Sequence, residues 1–310
     1  MAADRITLSA GKLHLEVAPE LGGSIVGFER VDEGAALPIL RAARAASNVL
    51  EASSFPLVPF VNRIRNGRFA FRGREVSLSA NMPGDLNPLH GQGWLSPWKV
   101  DEAHKTDAVL HYRHRPGEWP WDYDARQEFA LDERGLSLIL ACRNNSPEPM
   151  PCGLGQHPYF PCGHNTRISA DVQCAWTIDE LTLPVAKIPA AGRYSLEDRR
   201  ICAQDLDNGF GGWSGEARIS DAGWPFDLRL SSPTARYLHI YSPLDSGFFA
   251  AEPVSQANAA LNEPEEKWPE LGLKVLAPGE EMALEVRIDV IEKWATGPLR
   301  VLERTRSAPC

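Results

Sequence analysis

The feature that most constrains this chain is alternation, in which apolar and polar residues exchange at every second position along runs broken by turn residues. In LKVLAPGEEMALEVRIDVI, Leu273 and Val275 alternate before a Pro-Gly-Glu turn, and Met282, Leu284, Val286 and Ile288 alternate after it. Successive strand residues point to opposite faces, so each run buries one face of a sheet and wets the other. The segment is therefore expected to form a β-hairpin. RQEFALDERGLSLIL and ARISDAGWPFDLRLS repeat the pattern. GRFAFRGREVSL reads as a short hairpin turned at Arg72-Gly73, and KLHLEVAPELGGSIVGFER as two strands around a Gly-Gly break. ALPILRAARAASNVL and SQANAALN have helical composition, yet no long amphipathic repeat alternates with the strands as βαβ units require. The fold class expected is all-β and antiparallel.

A chain of 310 residues could build one large β domain or two smaller ones. Its 25 glycines and 25 prolines are spread along it and mark no linker, so a single domain over 1–310 is expected. From about residue 293, KWATGPLRVLERTRSAPC loses the alternation and reads as a surface extension. The net charge of -9 offers no broad basic face for nucleic acid or an anionic membrane. The first residues show no basic start leading into an apolar run, so a cytoplasmic protein is expected. Nothing in the sequence indicates an oligomeric state. The six cysteines form no CxxC pair and no dense framework, and they read as reduced thiols; Cys152 and Cys162, flanking GLGQHPYFP, could in principle pair.

Four places combine proton-transferring or hydroxyl-binding residues with neighbours that would fix the backbone. In Pro59-Phe60-Val61-Asn62-Arg63-Ile64, an amide and a planar guanidinium follow an apolar run. Arg65 and Arg68 nearby read as structural ion-pair residues. In Asn87-Pro88-Leu89-His90-Gly91-Gln92-Gly93-Trp94, glycines allow close backbone approach and Trp94 offers an apolar face. In Gly155-Gln156-His157-Pro158-Tyr159-Phe160, aromatic neighbours would limit the solvent access of His157 and tune it for acid catalysis, although a buried histidine bonded to a carbonyl fits equally. In Phe248-Phe249-Ala250-Ala251-Glu252-Pro253, a carboxylate ends an apolar run; partial dehydration would raise its pKa and make it a better base, while Glu-Pro also suits a surface turn.

His111 and His114 would point to opposite faces of a strand, and no ligand set of familiar spacing occurs, so no metal is expected. Gly153-Leu154-Gly155 does not continue as a phosphate or dinucleotide fingerprint, and no nucleotide cofactor is expected.

Taken in order, FVNRIRNGRF, LHGQGW, GLGQHPYF, LDNGFGGW and SGFFAAEP resemble the aldose 1-epimerase, or galactose mutarotase-like, family across most of the chain. The resemblance implies a large antiparallel β-sandwich and a small-molecule sugar substrate. It implies Glu252 as general base, His157 as general acid, and His90 as a second histidine near the reacting centre. Asn62 and Arg63 match a hydroxyl-binding pair, and Asp207 the sugar-binding aspartate, with Asp205 close by as an alternative. Pro253 after Glu252, and Pro-Tyr-Phe after His157, depart from galactose mutarotases and leave the sugar open; the chain looks more like a bacterial aldose 1-epimerase-like branch than the hexose-6-phosphate mutarotases. The expected function is anomer interconversion of an unphosphorylated aldose. A non-catalytic carbohydrate-binding sandwich is the alternative, and a glycoside hydrolase pairing Glu252 with Asp207 a further one, requiring carboxylates about 5–9.5 Å apart.

Overall fold

The computed structural model describes residues 5–293, so the extension expected from about residue 293 lies outside the described residues. The chain is nearly all β, with short 3-10 turns between strands. Nine strands form the largest sheet, in the order Arg199–Arg200, Arg167–Ala170, Glu216–Ser220, Phe226–Ser231, Glu281–Glu292, Gly135–Asn144, Tyr123–Asp132, Asp107–His114 and Lys99–Ala103. A second sheet runs Pro184–Pro189, Cys174–Ile178, Leu206–Gly211, Tyr237–Ser242, Phe248–Val254, Gly155–Gln156 and Pro56–Leu57, with Tyr159–Pro161 also pairing on Phe248–Val254. Residues Ile6–Ala10, Leu13–Ala18, Ser24–Asp32 and Ala35–Pro38 make a four-stranded sheet.

Alternation decides which face is core. In the nine-stranded sheet Leu136, Leu138, Leu140, Leu284, Val286 and Ile288 are buried, and they share one cluster with Leu206, Phe210, Leu238, Ile240, Phe249 and Ala251 of the second sheet. Fully burying one such side chain contributes about 1.5–3 kcal/mol, so this shared layer holds the sandwich together. The residues between them in the second sheet, Asp207, His239, Tyr241, Phe248 and Glu252, line a pocket on its other face.

The hairpins at 123–144, 216–231, 68–77 and 13–32 form as expected. At the first, the Asp132 carboxylate accepts from the Arg134 and Gly135 N–H groups at 2.7 and 3.0 Å, which closes the turn. The 273–291 segment differs. Both arms are strands, Lys274–Leu276 and Glu281–Glu292, but the first pairs with Met150–Cys152 and the second runs between Gly135–Asn144 and Phe226–Ser231. Alternation encodes the buried face of a strand and carries little about its partner.

The two segments of helical composition form no α-helix; the first opens on the strand Ala35–Pro38, and the only helical pieces in them are the single turns Val49–Glu51 and Ala260–Asn262. Stretches this short are marginal as helices. The first instead follows the sheet, Ile39 and Ala43 donating to the carbonyls of Phe28 and Val26 at 2.8 and 3.0 Å. Cys162 and Cys202, read as free thiols, are joined in a disulfide with Cα atoms 5.5 Å apart. They follow Tyr159–Pro161 and precede Leu206–Gly211, segments that only the sheet brings together. Cys142, Cys152 and Cys174 are free.

Candidate active site

Three adjacent strands of the second sheet supply the floor of a pocket of ≈ 390 Å³. In register, His239 lies opposite Glu252 on one neighbour and opposite Gly209 on the other. The imidazole lies over Gly209, where an added Cβ would meet His239 Nδ1 at an ordinary contact distance of 3.7 Å. His239 Nε2 reaches Asp207 Oδ1, two residues before Gly209 and on the same face, at 2.6 Å.

Loops supply the walls. In the 55–64 segment, Phe55, Leu57 and Val61 pack into a cluster beside the pocket, while Phe60 and Ile64 anchor in the main core. Asn62 and Arg63 are thus held from both sides. Asn62 and His90 both occupy the left-handed backbone region, at φ 58° and 57°. They bind each other reciprocally: the Asn62 N–H donates to His90 Nδ1 at 3.1 Å and the His90 N–H to the Asn62 carbonyl at 3.1 Å. Left-handed backbone at a non-glycine residue costs about 1–2 kcal/mol, which these bonds offset. Because His90 Nδ1 accepts, its ring hydrogen sits on Nε2, leaving that nitrogen a donor. Burial, and next the nearby His157, push His90 well below the ordinary histidine value, so it stays neutral.

His157 is stacked on Phe55 and packed against Tyr159, with ring centroids 4.6 and 4.5 Å away. Its backbone N–H donates to the Phe55 carbonyl at 3.1 Å, and its ring Nε2 lies 3.3 Å from Glu252 Oε1. Glu252 is 1% exposed and His157 7%. Glu252 Oε2 and His157 Nδ1 are buried with no hydrogen-bond partner among the described residues. Burial is the main cause that raises Glu252 to about 8 and lowers His157 to about 3. Both shifts favour the uncharged forms, a neutral carboxyl beside a neutral imidazole. That refines the sequence expectation: the glutamate is raised as anticipated, whereas the histidine by itself binds its proton weakly.

Asp207 lines the pocket, and Asp205 does not; Asp205 is an exposed partner of Arg193 at 3.8 Å. Burial would raise the Asp207 pKa, but its hydrogen bond to His239, the charge there and Arg63 outweigh it and hold the carboxylate ionised. Arg63 Nε donates to Asp85 Oδ2 at 2.8 Å, and its Nη2 lies 3.8 Å from Asp207 Oδ2. Arg65 and Arg68 pair at the surface with Asp179 and Glu75, as expected of them.

Trp94 differs from expectation. It is 1% exposed, its ring stacks on Phe55, and its indole N–H donates to the Leu89 and Gly91 carbonyls. It props the wall and offers no open face. His111 and His114 diverge as expected: His114 Nε2 faces the Trp119 carbonyl at 3.0 Å, and His111 lies by Asp124.

All six residues singled out from the sequence, Asn62, Arg63, His90, His157, Asp207 and Glu252, therefore line one pocket. Sequence reading missed His239, Arg41, Tyr159, Tyr241 and Phe248, which line it too. The alternation of Tyr237-Leu238-His239-Ile240-Tyr241 was the available signal for His239, since it puts a histidine on the face opposite two core residues.

The family model described as aldose 1-epimerase matches residues 4–289. The Escherichia coli (strain K12) protein YphB is 35% identical over 296 residues, covering 92% of this chain and 98% of its own. Among solved structures, a candidate aldose 1-epimerase from Escherichia coli K12 superposes with a TM-score of 0.86 at 33% identity, covering 94% of this chain and 99% of that one. A galactose mutarotase-like protein from Clostridium acetobutylicum, at 19% identity and TM-score 0.80, shares the fold over 93% of this chain and 95% of its own. With the match running through every strand that carries the pocket, this chain belongs to the aldose 1-epimerase family.

Proposed function

We propose that the protein is a cytoplasmic mutarotase that interconverts the α and β anomers of an unphosphorylated aldose by acid–base ring opening and closure, without metal or cofactor. The observation that carries this reading is the 3.3 Å approach of His157 Nε2 to Glu252 Oε1, two buried proton-transfer groups in a pocket of mixed polar and aromatic lining large enough for a sugar ring. Mutarotation needs an acid and a base at one acetal centre.

In the proposed cycle Glu252 takes the proton of the anomeric hydroxyl while His157 protonates the ring oxygen. The C1–O5 bond breaks, giving an open-chain aldehyde. Rotation about C1–C2 presents the other carbonyl face, and closure returns the proton from Glu252 to O1 and the O5 proton to His157. Opening thus uses the carboxylate with the imidazolium, and closure the carboxyl with the neutral imidazole. These two forms hold the same single proton. Burial makes the second the resting form, so a cyclic sugar opens after the proton crosses from Glu252 to His157. His90 donates from Nε2 near the reacting centre, and Asn62, Arg63 and Asp207 bind hydroxyls.

The Arg63 guanidinium, which lines the pocket, is already paired with Asp85, which supports a neutral sugar over a phosphate dianion at that end of the pocket.

Polarimetry on freshly dissolved α-anomers of glucose, galactose, xylose and arabinose tests the reading. It requires faster relaxation of at least one sugar than the buffer rate. No acceleration of any of them would refute it, and release of free sugar from an aryl glycoside would favour hydrolysis.

A further inference from the structure

His239 is buried at the centre of the pocket floor, and the acid–base cycle does not use it. Its two ring nitrogens both meet polar partners. Asp207 meets Nε2 at 2.6 Å from one neighbouring strand, Glu252 lies opposite in register on the other, and the Asn62 amide meets Nδ1 at 3.2 Å from the loop above. Arg63, His157 and His90 complete its charged and titratable surroundings.

We propose that His239 is a positioning residue whose protonation decides which end of the Asn62 amide faces the sugar. An ionised carboxylate only accepts, so Asp207 keeps a hydrogen on Nε2 at all times. When His239 is neutral, Nδ1 carries a lone pair and takes the Asn62 Nδ2–H, which leaves Asn62 Oδ1 as an acceptor for a sugar hydroxyl. When His239 is an imidazolium, Nδ1–H needs an acceptor, and the amide must turn over to offer Oδ1. The sugar then meets the Asn62 NH2 donor. The backbone of Asn62 cannot adjust instead, because both its N–H and its carbonyl are bound to His90. Burial alone would disfavour the imidazolium, but the charge that Glu252 carries when ionised and the hydrogen-bonded Asp207 carboxylate outweigh it and raise His239 above the ordinary histidine value.

The kinetic consequence rests on the mutarotase reading; the conformational one does not. In the full chain, NMR of 15N-labelled histidine rings and side-chain amides between pH 5.5 and 9, with Asn62→Ser for assignment, should show the Asn62 NH2 pair moving with the midpoint of His239. That movement should vanish in His239→Gln, and its midpoint should fall in Asp207→Asn, which leaves His239 in place should His239→Gln fail to fold. Asn62 signals that ignore the His239 titration would overturn the proposal. For an accelerated aldose, KM should change roughly 2- to 10-fold across the same midpoint, one hydrogen bond's worth, and His239→Gln should flatten this step. A His239→Gln enzyme with KM raised equally at every pH and the step retained would show a merely structural role and overturn it. Absence of mutarotation in the wild type would refute the enzymatic reading, while the amide titration still decides the role of His239.

Discussion

His157 Nε2 stands 3.3 Å from Glu252 Oε1 with both side chains almost wholly withdrawn from water, close enough for a proton to pass between them. In the proposed cycle the working unit is this pair holding one proton. Above about 8 that proton leaves Glu252, and near 3 a second one joins His157. The kcat of mutarotation, measured at saturating sugar after subtraction of the buffer rate, should therefore be flat through weakly acidic and neutral pH and fall on the alkaline side with an apparent midpoint near 8. An acid limb near 4.5, the ordinary glutamate value, would show that burial does not hold the proton on Glu252.

The same burial weakens the fold at high pH. Because Glu252 is raised in the folded state, the native protein binds more protons than the unfolded chain between 4.5 and about 8, and this stabilisation is lost as pH rises through 8. Glu252→Gln carries no charge to bury. Its melting temperature should exceed that of the wild type at pH 9 by about 2 °C or more and match it near pH 5. His157 has the opposite sign: lowered to about 3, it costs stability as pH falls below 6.5.

Arg63 depends on Asp85, whose carboxylate it binds at 2.8 Å with both side chains at most a tenth exposed. Asp85→Asn weakens that hold and frees Arg63 to pull on Asp207 at 3.8 Å. Steady-state kinetics should show KM raised about tenfold, roughly 1.4 kcal/mol, with kcat changed much less, since the proposed cycle gives Arg63 a hydroxyl to bind and no part in proton transfer.

Gly91, at φ +75°, sits where a Cβ would come within 2.1 Å of the Val58 carbonyl oxygen. Neither the backbone angle nor the space accepts a side chain. Gly91→Ala should lose well over 1 kcal/mol in denaturant titration and displace His90, lowering activity as well.

The strands and the site were legible in the sequence to different degrees. Alternation in RQEFALDERGLSLIL gave both strand and partner, because a two-residue turn leaves one pairing available. In LKVLAPGEEMALEVRIDVI the same signal located the strands and misled on the pairing, since Glu281–Glu292 is completed by strands that lie far away in the chain. Asn62, His90, His157 and Glu252 stood out because glycine, proline and aromatic residues surround them. His239 sits in an ordinary-looking strand, and only the register with Gly209 and Glu252 makes it part of the site. The Cys162–Cys202 bond was hidden for a similar reason: its halves meet through sheet order, which local sequence does not record.

The most direct test of the central claim compares wild type, Glu252→Gln and His157→Gln by polarimetry on whichever aldose the wild type accelerates, with circular dichroism to verify the fold. Each variant should lose about 10²–10⁴-fold of the enzyme-dependent rate, and the double variant should lose little more than either single one, because one proton-sharing unit has been removed. A Glu252→Gln enzyme, folded and within tenfold of the wild-type rate, would contradict the account.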